Sequence, residues 1–255
     1  MANESVTKTF VVALTLCIVC AVVVSSAAVS LRPAQEANKL LDLKTNILAS
    51  AGLLEEGVDV ETQFEKISVR LVDMETGRYT TEVDADTYDQ RKASGNPSLS
   101  VALSASEDIA KIKRRANFAK VYVVENAQGL EKVILPIKGY GLWSTLYGFI
   151  ALESDLKTVA GIGFYEHTET PGLGGEVDNP KWKASWVGKR AYDSEGLALE
   201  VIKGKVDLSR AGADSQIDGL AGATLTTKGV DNLVKYWLGQ QGFKPFIDNL
   251  KTGEA

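Results

Sequence analysis

The sequence predicts an α+β protein joined to an N-terminal transmembrane helix. Three patterns lead to this fold class. The stretch from Phe10 to Leu31 is apolar and uncharged, the middle of the chain alternates apolar and polar residues, and a segment near the C-terminus has its apolar residues at helical spacing. The alternation predicts an antiparallel sheet, and the helical patterns before and after it predict flanking helices.

The stretch from Phe10 to Leu31 predicts a membrane span. As an α-helix it would cover roughly 33 Å, which exceeds the hydrocarbon core of about 30 Å. A cleaved signal peptide is the alternative, since the small residues of "VSSAA" resemble a cleavage site, but the run exceeds the usual length of about 7 to 15 residues. Lys8 and Arg32 flank the span without deciding its orientation. Cys17 and Cys20 both lie inside it, so the rest of the chain has no disulfide and no cysteine ligand.

Local patterns predict the order of the remaining elements. Residues 32–52 predict a helical stalk, residues 67–83 a hairpin that turns at "METG", and the polar stretch 84–107 a long loop and possible subdomain boundary. Four strands of an antiparallel meander follow between residues 119 and 167. A short helix near 182–191, a strand at "ALEVIKG" and a terminal helix complete the chain. The apolar face of that helix comprises Val230, Leu233, Val234, Trp237 and Leu238. The predicted divisions are a tail (1–9), the membrane helix (10–31), the stalk (32–52), an α+β segment (53–118) and a C-terminal domain (119–255).

Composition excludes several classes of function. The chain has 33 acidic and 28 basic residues, and its one basic cluster, at 111–115, is too short for a nucleic-acid-binding stripe. His167 is the only histidine, so a zinc site outside the span would consist almost wholly of carboxylates, which suit that metal poorly. The chain lacks both the G-x-S-x-G elbow of a hydrolase and a phosphate-binding G-x-x-x-x-G-K-[ST] loop. We therefore predict no metal site, no catalytic role for His167 and no nucleic-acid partner.

Glycine-rich loops remain as the candidates for binding. "KGYGLW" (138–143) begins one predicted strand, and "ETPGLGG" (169–175) follows another. In such loops, backbone amides can approach a flat ring or an anion closely. A third segment, "DGLAGATLTTKGV" (218–230), precedes the terminal helix, whose N-terminus would favour a phosphate that a threonine hydroxyl could carry covalently. Ordinary turns and a helix cap, with Thr226 or Thr227 as the capping residue, are the structural alternative.

Taken together, these three segments resemble the FMN-binding domain family, in which the flavin phosphate is esterified to threonine. The resemblance extends over nearly the whole chain to the NqrC family of the sodium-translocating NADH:quinone reductases, through "RLVDMETG", "YDQR", "KVILPIKGYGLWS" and "ETPGLGGEV". The sister family, RnfG of the Rnf complexes, shares the FMN-binding half. Rnf stays the alternative, although residues 53–118 look like the longer NqrC pattern.

The resemblance implies an acceptor for the flavin. The family pattern D-x-x-[ST]-G-A-T runs here from Asp218 through Gly222 and Ala223 to Thr224. Carried over residue by residue, it makes Thr224 the FMN attachment point. Thr226 is the second candidate, because descriptions of the pattern often extend to a further hydroxyl residue.

The same resemblance implies contacts with the rest of the flavin. Thr170, Leu173 and Gly174 are expected to line the isoalloxazine ring, and Trp143 to close the pocket. One departure is Ala221, where the family usually has Ser or Thr. Loss of that hydroxyl would remove a hydrogen bond to the phosphate or weaken recognition by the attaching flavin transferase, yet modification is still expected because Asp218 and the acceptor remain.

By resemblance, the chain is an electron-transfer subunit of a complex that oxidises NADH, reduces ubiquinone and exports sodium. It would carry covalent FMN as its cofactor and pass single electrons from a metal centre to a second flavoprotein of the complex. Its implied partners are NqrA, NqrB, NqrD, NqrE and NqrF, the membrane and an FMN transferase. The chain would cross the bacterial inner membrane once, with its soluble domain in the periplasm. A docking module without flavin and a secreted flavoprotein are the rival functions.

Overall fold

The computed structural model describes residues 5–255, which form two compact units divided between Leu43 and Lys44. The first unit is the larger part of helix α1, Val6–Ser50. The helix contains an apolar window with a mean hydropathy of 2.7, none of it buried, and is long and apolar enough to cross a membrane. It starts before the predicted Phe10 and continues through Pro33 into the predicted stalk. Residues 1–4 of the predicted tail lie outside the described residues.

The second unit is built on a six-stranded antiparallel sheet. In chain order its strands are β1 (Ile67–Asp73), β2 (Arg78–Thr80), β5 (Phe118–Asn126), β6 (Gly129–Tyr140), β7 (Thr145–Glu153) and β8 (Val159–Glu166). Their spatial order is β2-β1-β5-β6-β7-β8. The sheet confirms both the predicted hairpin and the predicted four-strand meander. The sheet also contains strands from both sides of residue 118, where the α+β segment was predicted to meet the C-terminal domain. A functional boundary at this residue stays a prediction.

Helices α5 (Thr224–Leu238) and α6 (Lys244–Thr252) cover one face of the sheet. Leu233 of α5 packs directly on β6, where a Cβ on Gly139 would lie only 2.4 Å from the Leu233 Cβ. The indole nitrogen of Trp237 donates to the backbone oxygen of Lys138 at 2.7 Å. A Cβ on Gly229, closer to the N-terminus of α5, would lie 2.5 Å from the Tyr140 backbone oxygen, so this half of the helix lies at the end of β6, where the first glycine loop begins.

The last turns of α1 pack on the other face of the sheet, together with α2 (Val60–Phe64) and α3 (Gln90–Gly95). Ile47 and Leu48 are fully buried there. A Cβ on Gly161 in β8 would lie 2.4 Å from the backbone oxygen of Ser50, so the helix and the strand are in direct backbone contact. Burial of this apolar end explains why the helix persists to Ser50.

Several predicted elements are wrong in detail. The stretch 84–107 is not one long loop, because it contains α3, whose N-terminus is capped by the Asp89 carboxylate, and β3 (Ser100–Ala102). Strand β3 pairs with β4 (Arg114–Ala116), a non-local contact that no local periodicity reports. The helix predicted near 182–191 is α4 (Pro180–Ala184), which begins earlier because Pro180 follows the capping residue Asn179. The strand predicted at "ALEVIKG" is only β9 (Glu200–Val201), paired in parallel with β10 (Gln216–Ile217), and α6 was not predicted.

Candidate functional site

The buried carboxylate of Glu169 joins the glycine-rich loops. One of its oxygens, Oε1, accepts hydrogen bonds from the backbone amides of Leu142 at 3.0 Å, Trp143 at 2.9 Å and Ser144 at 3.3 Å. The other, Oε2, accepts from the Thr226 hydroxyl at 2.7 Å. One side chain therefore ties the loop 138–144, its own loop 169–175 and the first turn of α5 together.

These hydrogen bonds favour the ionised form of Glu169. Burial raises the pKa of this carboxyl group, but the bonds from Thr226 and from the amides of Trp143, Leu142 and Ser144 act in the opposite direction. The net result is a pKa below the usual glutamate value. A negative charge is consequently held inside the site by four hydrogen-bond donors of the protein.

Glycine leaves the space that this carboxylate occupies. A Cβ on Gly174 would lie 2.5 Å from the Thr226 hydroxyl oxygen and 2.7 Å from Glu169 Oε2, and a Cβ on Gly141 would lie 2.6 Å from Glu169 Oε1. These separations are shorter than van der Waals contact. Because Gly141 and Gly174 have no side chain, the backbones of "KGYGLW" and "ETPGLGG" can lie close to the Glu169 carboxylate.

The first turn of α5 separates the candidate acceptors. Thr224, the first residue of the helix, and Leu225 are exposed, whereas Thr226 is only 1% exposed and its hydroxyl is bound to Glu169. The N-cap residue is Ala223, and in this described segment no side chain caps the helix. Amides of an uncapped first turn remain available to an external acceptor.

The rest of the 218–227 segment is fixed by hydrogen bonds within the protein. Thr227 is not the helix cap, because it lies inside α5 and its hydroxyl accepts from the backbone amide of Leu220 at 3.0 Å. The Asp218 carboxylate accepts from the amide of Val206 at 2.7 Å, and its backbone oxygen accepts from the indole of Trp182 at 2.9 Å. Asp218 therefore anchors the base of the loop.

Exposed apolar side chains are present on all three segments of the site. Trp143 is 64% exposed, Leu225 is 60% exposed and Leu173 is 44% exposed. The Leu173 side chain lies against Gly222, which has a φ of +72° and would bring a Cβ to 3.1 Å from Leu173 Cδ2. The backbone oxygen of Thr170, also an exposed residue, accepts from the amides of Leu173 and Gly175 and so closes the turn of its loop. Leu173 and Leu225 therefore provide exposed apolar surface next to Thr224.

His167 supports the same loop from outside. Its Nδ1 accepts from the backbone amide of Glu169 at 3.2 Å, so the ring proton is on Nε2, which donates to Asp178 at 2.8 Å. The Ser144 hydroxyl accepts from the amide of Thr168 at 2.8 Å. These contacts give His167 a structural position.

The structure brings together the two segments that hold most of the predicted site residues, which are Thr170, Leu173, Gly174, Gly222, Ala223, Thr224 and Thr226. Trp143 reaches the same assembly through its backbone, while the Asp218 carboxylate is directed toward Val206. Glu169, which joins the loops, was not among the predicted site residues. The sequence contained a signal for Glu169. It is an acidic residue at the start of "ETPGLGG", and this segment lies between two glycine-containing loops whose backbone amides can donate to a carboxylate.

Comparison with known proteins places this site in a family. The family model of the FMN-binding domain matches residues 141–239, which include residues 141–143 of the first segment and all of the other two. The C subunit of the Na(+)-translocating NADH-quinone reductase of Pseudomonas aeruginosa is 56% identical over 261 aligned residues, covering 100% of both chains. The corresponding protein of Vibrio alginolyticus is 47% identical over 99% of this chain and 98% of its own.

Solved structures agree with the sequence comparison. The crystal structure of Shewanella oneidensis NqrC matches with a TM-score of 0.77 and 36% identity, covering 85% of this chain and 99% of that one. The corresponding protein from Parabacteroides distasonis matches with a TM-score of 0.64 and 27% identity, over 85% of this chain and 96% of that one. These similarities favour the NqrC resemblance over the Rnf alternative. The chain belongs to the NqrC family of the Na(+)-translocating NADH-quinone reductases.

Proposed function

We propose that the chain is the NqrC electron-transfer component of a Na⁺-translocating NADH:ubiquinone reductase and carries FMN through a phosphoester to Thr224. The observation that carries this proposal is the exposed Thr224 side chain at the uncapped N-terminus of α5, next to an open apolar surface. The bound flavin would supply one-electron steps between the redox centres of the complex.

The phosphate end of FMN fits the first turn of α5. A helix of 15 residues begins at Thr224 and has no side-chain cap in this described segment. Its unpaired amides and the positive end of its dipole favour an anion at this position. A phosphoester on Thr224 would bring phosphate oxygens to the free amides of the first turn. These oxygens would accept the hydrogen bonds that the side chain of an N-cap residue accepts in other helices.

The ring end of FMN fits the surface next to that turn. Trp143 and Leu173 offer exposed apolar area for a flat aromatic group, and Thr170 and Gly174 lie in the same loop as Leu173. An open surface suits an electron carrier, since a covalent bond retains the cofactor while one edge stays accessible to redox partners.

Accessibility favours Thr224 over Thr226 as the acceptor. An attaching enzyme must reach the hydroxyl, and the Thr226 hydroxyl is buried and already donates to Glu169 at 2.7 Å. The Thr224 side chain is exposed at the same end of the helix. Gly222 and Ala223 provide the small residues that leave the acceptor free.

The anchor and the family together suggest the location and partners. Helix α1 would cross the bacterial inner membrane once, with the flavin domain on the periplasmic side. The partners would be NqrA, NqrB, NqrD, NqrE and NqrF, with an FMN transferase needed for maturation. This chain would bind neither NADH nor ubiquinone itself and would contribute to sodium export only through electron transfer.

Mass spectrometry of the membrane-purified chain tests the proposal. Made in a host with the transferase, the peptide spanning Asp218 to Lys228 should carry an FMN mass localised to Thr224, and the denatured gel band should fluoresce. Thr224→Val should abolish both signals. Thr226→Val is the matched control, and its peptide should keep the modification.

Two results would contradict this assignment. Retained modification in Thr224→Val would move the acceptor to another residue. An unmodified wild-type peptide and a dark band, from a host with the transferase, would mean that Ala221 or another departure from the family pattern has broken the acceptor site. The docking function without flavin would then replace the proposal.

A further inference from the structure

The strongest unassigned feature of the described residues is the carboxylate of Glu169. The residue is 5% exposed, yet its carboxylate is surrounded by four hydrogen-bond donors from two other segments. Three of these donors are consecutive backbone amides of the loop that carries Trp143. The fourth is the hydroxyl of Thr226, two residues after the proposed acceptor.

We propose that Glu169 is a positioning residue for the flavin site, which fixes the Trp143 loop against the first turn of α5 and adds a negative charge that lowers the flavin's reduction potential. This inference rests on the proposed function, because it assumes a flavin attached at Thr224. Glu169 is not itself the acceptor or a catalytic residue.

The positioning role follows from how the loop is held. Residues 142–144 turn between β6 and β7, and their three amides converge on Glu169 Oε1. Buried amides without an acceptor are costly, and hydrogen bonds to an ionised acceptor are stronger than neutral ones. Without Glu169, these amides would have to find water, and the turn that presents Trp143 would open.

The electrostatic role follows from the charge and its position. Gly141, Gly174 and Thr226 surround the carboxylate, so it adjoins all three segments that are proposed to hold the flavin. The hydrogen bonds that lower its pKa also keep it ionised at neutral pH. A fixed negative charge near a flavin opposes addition of an electron, and it does so more strongly in a buried setting than in water.

Glu169→Gln separates the two roles. Its amide oxygen can still accept from residues 142–144, and its NH₂ group can donate to the Thr226 oxygen, so the loops keep their connection while the charge is lost. Glu169→Ala removes the connection as well. Glu166→Gln is the matched control, since Glu166 lies three residues earlier and its exposed carboxylate pairs with Arg91 at 2.8 Å.

The experiment uses the full-length chain in detergent, made with and without the transferase. Without flavin, hydrogen–deuterium exchange of residues 142–144 should accelerate by about ten-fold or more in Glu169→Ala, less in Glu169→Gln and not at all in Glu166→Gln. With flavin, occupancy of the 218–228 peptide should fall in Glu169→Ala and persist in Glu169→Gln. Spectroelectrochemistry should show a more positive flavin potential in Glu169→Gln, with a smaller shift in Glu166→Gln.

The two roles can fail separately. Unchanged exchange in both Glu169 variants would overturn the positioning role, and a Glu169→Gln potential equal to that of the control would overturn the electrostatic role. If Glu169→Ala does not fold, Glu169→Gln supplies the flavin potential, and Thr226→Val, which removes one of the four donors, supplies the exchange measurement. A wild-type chain without flavin would contradict the proposed function instead, and the exchange measurement would still test the loop.

Discussion

At the proposed flavin site, Gly174 leaves room for a carboxylate and a hydroxyl, whereas in strand β8 Gly161 leaves room for the backbone of a helix. Both residues are buried, and a Cβ would come within 2.5 Å of a neighbouring atom at either position. Around Gly161 the nearest atoms belong to the Ser50 backbone, at the end of a helix whose Ile47 and Leu48 are fully buried. Around Gly174 the nearest atoms are the Thr226 hydroxyl and the Glu169 side chain.

This difference shows that one residue type serves two kinds of structure. The contact between α1 and β8 is permanent packing, in which close approach of two backbones buries apolar side chains. The proposed flavin site combines a hydrogen-bonded polar network with exposed apolar side chains, as expected where a bound cofactor would cover those side chains. Four changes in the protein or its conditions test this contrast, from the largest expected effect to the smallest.

The largest effect is expected from Gly161→Ala. The new Cβ would lie 2.4 Å from the Ser50 backbone oxygen, so helix and strand must separate. We expect a loss of about 2 kcal/mol in the free energy of unfolding, measured by urea denaturation of the full chain in detergent.

Gly163→Ala is the matched control for that change. Its Cβ would meet the Ser50 Cβ at 3.5 Å, an ordinary contact. We expect a change of no more than about 1 kcal/mol in either direction. Equal losses in the two variants would show that Gly161 is not the point of close packing.

Gly174→Ala should have a smaller effect on stability and a clear effect on the flavin. The Cβ would displace Thr226 or Glu169, and we expect destabilisation of roughly 1 kcal/mol together with reduced flavin occupancy. Gly172→Asn in the same loop is the control, because Gly172 has a φ of +74°, which Asn tolerates, and open space around it. Full occupancy in Gly174→Ala would argue against a close fit between the loops.

Acid should weaken the site through Glu169. Since its folded-state pKa is depressed, its contribution to stability is present above the unfolded value of about 4.3 and is lost as pH falls through the lower folded value. Wild type should therefore lose more stability than Glu169→Gln as the pH is lowered from about 6 toward about 3. Thermal unfolding of both proteins across this range measures the difference, and parallel curves would contradict it.

The smallest effect is expected from Ala221→Ser. Ala221 is exposed and lies just before the acceptor, so a serine restores the hydroxyl of the family pattern without disturbing any buried contact. Flavin occupancy, measured on the 218–228 peptide at limiting transferase, should stay equal or rise. A fall in occupancy would show that alanine is preferred at this position of the chain.

Local patterns predicted much of the fold. The apolar run, the hairpin, the four-strand meander and helix α5 each have a strong period or a clear boundary, and all four are present. Elements that depend on distant partners were missed or misplaced. Strand β3 forms because β4 pairs with it, and α3 is held to the sheet by an ion pair from Arg91 to Glu166, 75 residues away.

Sequence alone determined the family pattern, the candidate acceptors Thr224 and Thr226, and the glycine loops, because each depends on residue types at short spacing. The family pattern ranked Thr224 before Thr226, and the tertiary structure adds a physical difference between them by burying Thr226 and exposing Thr224. Only the tertiary structure brought donors to Glu169 from about 25 and 57 residues away along the chain. The physical reason is that the stability of a buried charge depends on the hydrogen-bond donors around it. Those donors come together only when the strands and helices pack.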